Sequence, residues 1–564
     1  MKKKMLCWPL FGVGFDNLGR NHEPCEWDVP EPGPDELLVR IDAIGLCFSD
    51  VKLIRAGEKH PRVISEDLRR DPVIPGHEAV MTAVQVGENL RGKFRPGQRF
   101  IIQADIYVGG VGYAYGYAIH GGMAQYSLID QRVLNGDEGC YLLPLRPETP
   151  AGIAALIEPW TCVIASYMIE HRTGVKPGGR MLVALEPGDA GEWRFGAGRA
   201  PEQPAEIDLV HGNPATRAAL ERAFPDAELR ETSPAEIEGA GDYDDILLCE
   251  LRNREWAESL ARKGGRDALI SFVGDYPDEP WAIDAGSIHY RGWFYQGAPG
   301  RDMAAAYGRN VRSKPRPGGT CWLVGGAGAM GQMHSQIAAE NPDGPGRILV
   351  TDVDDARIEK LTRRLAPKAA ARGAEFKTLN PKSFPNPEAF NEAVRAFAPE
   401  GFDDIIMLVP VAPIITAAAP FLADDGLMNI FAGIPAGSDA AFSVGDIARR
   451  GVRYIGSSGS RTAHLRHTLE LVETGKLDPA SALAAIGGMR ALWEGIQGVA
   501  QARFPGKTVI FPHCETMPLT AIEDLAALVP GIEETFSEEG FYTLDTEKRL
   551  FERFGCVQPG AVEE

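Results

Sequence analysis

Cys321-Trp322-Leu323-Val324-Gly325-Gly326-Ala327-Gly328-Ala329-Met330-Gly331 runs from an apolar strand pattern straight into a helical one. Gly326, Gly328 and Gly331 stand in G-x-G-x-x-G spacing, with Ala329 and Met330 between the last two. Glycines so placed let the backbone turn tightly and approach a pyrophosphate, which then rests on the free N–H groups of a helix N-terminus. The spacing alone is weak evidence, but a second strand pattern, Arg347-Ile348-Leu349-Val350-Thr351, ends at Asp352, 21 residues past Gly331. A carboxylate there accepts both hydroxyls of a ribose and repels a 2′-phosphate, so the expected cofactor is NAD rather than NADP. Arg357 nearby keeps that preference open to test. The competing reading is a glycine turn followed by an unrelated helix-capping aspartate.

The pattern occurs twice. Arg316-Pro317-Gly318-Gly319-Thr320 matches Lys176-Pro177-Gly178-Gly179-Arg180, 140 residues earlier, and each precedes an apolar strand run. Farther on, Asp403-Asp404-Ile405-Ile406-Met407 matches Asp244-Asp245-Ile246-Leu247-Leu248, and Phe431-Ala432-Gly433 matches Phe272-Val273-Gly274 at an offset of 159. Tyr454-Ile455-Gly456-Ser457-Ser458-Gly459 likewise repeats Tyr295-Gln296-Gly297-Ala298-Pro299-Gly300. Strand runs alternating with helical stretches predict βαβ units, hence two tandem doubly wound α/β domains at 177–300 and 317–460. In the first copy the three glycine positions read Glu186, Gly188 and Gly191, and His211 stands near the place of the acid. A glutamate there opposes a pyrophosphate, so the first copy is expected to be degenerate and not to bind the dinucleotide.

The chain has 564 residues, a length that predicts three or four domains. Apolar residues at 44 % and charged residues at 24 % fit an ordinary folded protein and exclude disorder. A net charge of −20, with no basic run longer than Lys2 to Lys4, argues against nucleic acid and membrane surfaces as partners. Residues 405–422 are almost uncharged, yet Pro410, Pro413 and Pro420 favour a strand and a broken helix over a membrane span. Nine cysteines, an odd number without a C-x-x-C pair, argue against a disulfide framework and a zinc ribbon. The expected compartment is the reducing cytoplasm.

Ahead of the repeats stand Cys47 and Asp50 in Gly45-Leu46-Cys47-Phe48-Ser49-Asp50, His77 and Glu78 after Pro75-Gly76, and Glu158 before Pro159. Cysteine thiolate, imidazole and carboxylate are the donors of catalytic zinc sites, where three side chains leave a position open. Taken singly, each has an ordinary structural role: a buried small hydrophobe, a core histidine, a helix cap.

Their order, Cys47, then Gly76-His77-Glu78, then Val86-Gly87 and Arg95-Pro96-Gly97-Gln98-Arg99, all before a dinucleotide fold, resembles the zinc-dependent medium-chain dehydrogenase/reductase family. The resemblance covers residues 1 to about 175 and 300–513. It implies a GroES-like, partly open β-barrel catalytic domain, with Cys47, His77 and Glu158 as zinc ligands and Glu78 as a neighbour that approaches the metal. It also implies that Asp50 orients the histidine, and that Ser49 begins a proton relay whose usual terminal histidine is replaced by Lys52. The family's structural zinc needs four cysteines that are absent between Arg99 and Cys140, so one catalytic zinc is expected. In that stretch lie Tyr107, Tyr113, Tyr115, Tyr117 and His120, either a substrate-pocket lining or an aromatic cluster; His120 as a ligand is the less favoured reading.

Gly433, Gly456 and Ser457 correspond to the segment beside the nicotinamide. The implied activity is hydride transfer between NAD(H) and a secondary alcohol or ketone, with a polyol, sugar or sugar phosphate as substrate. The whole is somewhat similar to sorbitol dehydrogenases and L-sorbose 1-phosphate reductases. Lys52, Arg55, Lys59, His60 and Arg62 form a basic cluster that suits a phosphate, although a solvated loop is the favoured reading. A rival assignment is a non-catalytic NAD-binding or scaffold protein with a vestigial metal site.

The expected layout is a catalytic domain at 1–160 with 495–513 returning to it, bridging helices and a return strand within 461–513, and an acidic tail at 514–564. Helices are expected at Leu519-Thr520-Ala521-Ile522 onward and at Asp545-Thr546-Glu547-Lys548 onward. The family joins the edges of two nucleotide-domain sheets when it dimerises, so either a homo-oligomer or an intramolecular pseudo-dimer of the two copies is expected.

Overall fold

Leu37–Leu46, a ten-residue strand with every position buried, is the spine of the first of two units. Glu78–Val86 and Tyr126–Ile129 pair with it antiparallel, and Arg99–Ile102 and Leu142–Pro144 extend the sheet beyond Glu78–Val86. Lys507–Phe511 returns along its other edge, with Thr508 opposite Leu46. Leu483–Gly488 and Thr520–Ala521 continue the sheet from there. Val39, Ile41, Ile44 and Ile510 share one core with Val51 and Ile54 of the helix Phe48–Ala56 and with Ile496. The computed structural model describes residues 4–561; this unit comprises Met1–Ala165 and Gly459–Glu564, and the second is Ser166–Ser458.

The tail belongs to the first unit. Cys514 and Cys556 form a disulfide, which corrects the expectation drawn from the scattered cysteines: spacing in sequence carries no information about two residues 42 apart whose Cα atoms fold to 5.0 Å. The helix Leu544–Phe554 forms over the expected stretch, whereas the other expected helix is reduced to Leu525–Leu528. Glu547 accepts the N–H groups of Ala151 and Gly152, both at 2.8 Å, capping the short helix Ala151–Ala154. The carbonyls of Gln558 and Ala561 accept from the buried Arg40.

The second unit holds two six-stranded parallel sheets. In the first, the order is Glu228–Glu231, Glu206–Val210, Arg180–Leu185, Tyr243–Cys249, Gly264–Val273, Phe294–Ala298. In the second it is Glu375–Leu379, Arg347–Thr351, Thr320–Val324, Phe402–Met407, Leu422–Ile430, Arg453–Ile455. Both are the 3-2-1-4-5-6 order of doubly wound dinucleotide folds. The fold is therefore α/β, a GroES-like domain plus two Rossmann-like sheets. Residues 405–422 resolve into a strand, the helix Ala412–Ala418 with Pro413 in its first turn, and a short 3-10 turn. No helix among the described residues is long and apolar enough to cross a membrane.

The copies differ at their first crossover. In the second, the helix Gly331–Glu340 follows the first strand. In the first, residues 186–205 contain no helix, so this crossover departs from the strand–helix alternation expected of both copies. Trp193, fully buried, fills the space, its indole N–H donating to Asp189 at 2.7 Å while Arg301 pairs with Asp189 and stacks over the ring.

The two copies face each other across a pseudo-twofold axis. Pro280–Asp284 pairs antiparallel with Asp439–Ser443, its equivalent 159 residues on, and the pairing centres on Ala282 opposite Ala441. Ala282 thus meets its own counterpart, while Pro280 meets Ser443, the counterpart of Asp284, and Asp284 meets Asp439, the counterpart of Pro280, the reciprocity of an isologous contact. An added Cβ on Gly297 would lie 3.0 Å from Cα of Ala448, and one on Gly456 would lie 3.1 Å from Cα of His289, the first-copy equivalent of Ala448. Side chains from both copies, among them Phe272, Trp281, Tyr295, Phe442 and Tyr454, form one continuous core.

Candidate functional site

Gly76 takes φ +96°, and an added Cβ would lie 2.9 Å from the backbone N of Met123, so only glycine fits this turn. Gly121, Gly122 and Met123 donate their N–H groups to the carbonyls of Ile74, Gly76 and Pro75 and fix the turn. His77 leaves it directly and Glu78 starts the following strand. Cys47 caps the helix Phe48–Ala56, and Asp50, on its first turn, accepts the N–H of Cys47 at 2.9 Å.

Cys47, His77 and Glu78 present ligand atoms within 4.8 Å of one another, a group that could hold a metal ion. Nδ1 of His77 lies 3.2 Å from the buried carboxylate of Asp50, which leaves Nε2 for the cluster. Burial works against a charge on His77, but Tyr117, Asp50 and Cys47 overcome it and hold its pKa well above the ordinary value. Glu78 is 1 % exposed. One of its oxygens accepts from Lys507 Nζ at 2.5 Å, and the other, Oε2, has no hydrogen-bond partner. A buried carboxylate oxygen left without a donor is costly. The donor set and this orphaned oxygen fit a divalent cation.

Glu158 does not belong to the three-residue cluster. It lies on the helix Ile157–Ser166, within electrostatic reach of His77 and Glu78. Burial pushes its carboxyl up to about 7, His77 and Lys507 opposing and Glu78 and Asp105 adding to the rise. Ser49 is half-buried on the first helical turn and Lys52 is exposed; among the described residues no hydrogen bond joins them. Lys507 is the residue that sequence reasoning missed: it was visible only as part of a return strand, and a lysine at strand register carries no signal of a partner 429 positions away.

The aromatic segment and the basic cluster meet here. Tyr117 is buried, its ring 5.8 Å from His77 and 5.1 Å from His60, with Arg62 stacked over it and paired with Asp105 at 2.6 Å. Tyr115 is wholly buried and Tyr107 exposed, so the segment is part core and part lining. His120 accepts the N–H of Ile74 and is not one of the clustered ligands. Lys52 and Arg55 are exposed on the helix Phe48–Ala56 and Lys59 on the 3-10 turn after it, so these three are solvated but do not form the expected loop.

In the second unit the glycine turn is built tightly. Gly325 and Gly326 both donate to the carbonyl of Thr351. An added Cβ on Gly326 would lie 2.5 Å from Val350, and one on Gly331 would lie 2.3 Å from the carbonyl of Gly325, whereas over Gly328 the nearest atom is 3.6 Å away. Two glycines thus serve close packing and the third leaves the approach open, which fits a pyrophosphate on the helix Gly331–Glu340. Ala329 and Met330 lead into that helix. Asp352 accepts the N–H of Ala327 at 3.1 Å and of Val353 at 2.8 Å, so its carboxylate stands beside the turn. Arg357 is drawn towards Asp354, at 3.5 Å. Gly433 follows the strand Leu422–Ile430, and Gly456 and Ser457 follow Arg453–Ile455, the adjacent strand.

Residues 33–135 match the alcohol dehydrogenase GroES-like domain. Over most of its length the chain is similar to mannitol-1-phosphate 5-dehydrogenase of Aliivibrio fischeri, at 25 % identity over 89 % of this chain and 86 % of that one. It is also similar to L-sorbose 1-phosphate reductase of Klebsiella pneumoniae, at 24 % identity over 91 % of each. The crystal structure of 2R,3R-butanediol dehydrogenase from Bacillus subtilis shares the fold, with a TM-score of 0.51 at 14 % identity over 90 % of this chain and 99 % of that one. By this domain match and these relatives, the chain is similar to the zinc-dependent medium-chain dehydrogenase/reductase family.

Proposed function

We propose that the protein is a zinc-dependent oxidoreductase that transfers hydride between NAD(H) and a secondary alcohol or ketone of a polyol, sugar or sugar phosphate. The observation that carries the reading is the buried cluster of Cys47, His77 and Glu78 with one carboxylate oxygen unsatisfied. Cys47, His77 and Glu78 would hold the ion, and Glu158 is the further oxygen donor. Bound there, zinc supplies Lewis-acid polarisation of the substrate oxygen. Asp50 fixes the imidazole, and Lys507 neutralises Glu78 so that a low-dielectric pocket tolerates it. Asp352, with acceptor capacity beyond its two backbone partners, receives the ribose hydroxyls and disfavours a 2′-phosphate. The two relatives, named for a polyol phosphate and a sugar phosphate, support that substrate class.

We further propose that the degenerate copy supplies the second half of a dimer interface within one chain, a reading supported by the pairing of Ala282 with Ala441.

The test is bound zinc together with NADH formation on polyols, sugar alcohols and their phosphates, for the wild type and Cys47→Ala. About one zinc per chain, and turnover abolished by the substitution, are expected. NAD binding with neither zinc nor turnover would instead support a scaffold.

A further inference from the structure

Comparing the copies exposes a second site, at the amino ends of the strands, away from the glycine turn. Arg453 opens the strand Arg453–Ile455 opposite Leu427; at the equivalent place in the first copy Phe294 stands opposite Leu269. Arg453 is 5 % exposed. Its Nη1 donates to the carbonyls of Ile447 and Val452 at 2.9 and 2.8 Å, and among the described residues no carboxylate is paired with it. Burial and the neighbouring Arg309 lower its pKa to about 10, against Asp425. The first-copy equivalent of Arg309 is Ile169, which packs with Phe294 and Leu269 in an apolar cluster, and His171 stacks on Phe294 at 4.2 Å. At both places where the first copy closes the space with apolar side chains, the second carries arginine.

Between them lies a cavity of about 530 Å³, lined by Arg309, Arg312, Arg316, Arg453 and Asp425. Three of these are framework shared by the copies. Arg312 pairs with Asp404 as Arg172 pairs with Asp245. The N–H of Arg316 binds Asp404 as that of Lys176 binds Asp245. Asp425, at φ 59°, makes the same turn against Gly451 that Asp267, at φ 58°, makes against Gly292. Arg309 and Arg453 are the additions. A buried cation without an anion is costly, and a second cation beside it raises the cost. In a chain of net charge −20 such a pair is not a consequence of composition.

We propose that this cavity binds a small phosphorylated molecule, with Arg309 and Arg453 taking the phosphate. Guanidinium groups match phosphate geometry and bind it through charge-assisted hydrogen bonds. The volume is in the range of small-molecule sites and admits a hexose phosphate as well as the inorganic ion. The strand Thr320–Val324 separates the two ends of the sheet by about 15 Å, so the bound molecule is an effector rather than the pyrophosphate of the dinucleotide.

Calorimetric titration of the full chain with inorganic phosphate, with a hexose 6-phosphate and with the unphosphorylated hexose tests the site, all with NADH present. The double variant Arg309→Ile/Arg453→Phe restores the first copy's side chains, and Arg309→Ala alters one exposed residue in case the double variant fails to fold. The wild type is expected to bind the phosphorylated probes and not the free hexose, with affinity lowered about tenfold or more in either variant. Tighter binding of the hexose phosphate than of inorganic phosphate marks a phosphomonoester site; equal binding marks a site for the free ion. No binding by the wild type, or unchanged affinity in the variants, would overturn the proposal.

Discussion

Lys507 and Glu78 form a buried ion pair, Nζ to Oε1 at 2.5 Å, in which only one carboxylate oxygen is used. Burial would strip the proton from Lys507, and Glu78, Cys47 and Glu158 hold it on. The pair reaches across the strand Leu37–Leu46, which lies between the return strand and the strand that Glu78 opens, so the same interaction ties three strands together and charges the cluster. Removing one partner leaves a buried charge alone, which typically costs about 3–5 kcal/mol. Lys507→Met is therefore expected to lower stability by that order in urea titration. The double variant Lys507→Met/Glu78→Met is expected to recover most of it while losing metal affinity, measured as zinc retained after dialysis.

Gly45 lies across from Glu78. An added Cβ would come within 2.1 Å of its Oε2 and 3.0 Å of its Cβ, inside a sheet that cannot open. Gly45→Ala is expected to drive the carboxylate out of the cluster and to reduce both zinc content and turnover, with the nucleotide unit's NADH affinity unchanged. Equal zinc content in variant and wild type would count against Glu78 as a ligand.

The parts of this molecule legible in its sequence are those where geometry demands a residue type. Gly326, Gly328 and Gly331 were readable because no side chain fits, and the duplication because both copies need the Asp245 and Asp404 turns at the start of the same strand. Through their order Cys47 and His77 were read as ligands and Glu78 only as a neighbour of the metal, whereas the fold groups all three. What stayed hidden depends on distance across the fold: Lys507 against Glu78, Cys514 against Cys556, and Trp193 in place of a crossover helix. None has a local pattern, since each is defined by a partner far along the chain or by the absence of an element. Glu158 shows the converse, a residue matched by position that the structure leaves outside the three-residue group.

If the pseudo-twofold contact replaces a subunit interface, the chain is expected to run as a monomer in light scattering across the micromolar range. Phe442, fully buried and stacked on Tyr454 at 3.8 Å, lies in the core common to both copies. Phe442→Ala is expected to cost about 3–5 kcal/mol. It should destabilise both copies together, seen as one shared loss of amide-exchange protection over residues 264–298 and 422–455. A dimer that persists at low concentration, or protection lost in the second copy alone, would show that the copies are not one cooperative unit.

Glu547 sets a pH dependence remote from the metal cluster. Burial pushes its carboxyl up to about 7, although the N–H groups of Gly152 and Ala151, Arg99 and Tyr542 all favour the charged form. The unfolded chain releases this proton near pH 4.5. Folded protein therefore binds more protons than unfolded protein between these values, and stability falls as pH rises through the window. The contribution is fully present below about pH 4.5 and lost above about pH 7, an upper value of about 2–3 kcal/mol between pH 5 and pH 8. Glu547→Gln takes up no proton and keeps an acceptor for the cap on Ala151–Ala154. Urea midpoints for the two proteins should therefore converge at one end of this range and separate at the other, with the wild type losing the more on going from pH 5 to pH 8. Parallel midpoints across the range would mean that the backbone donors and Arg99 hold the carboxylate ionised in the folded state.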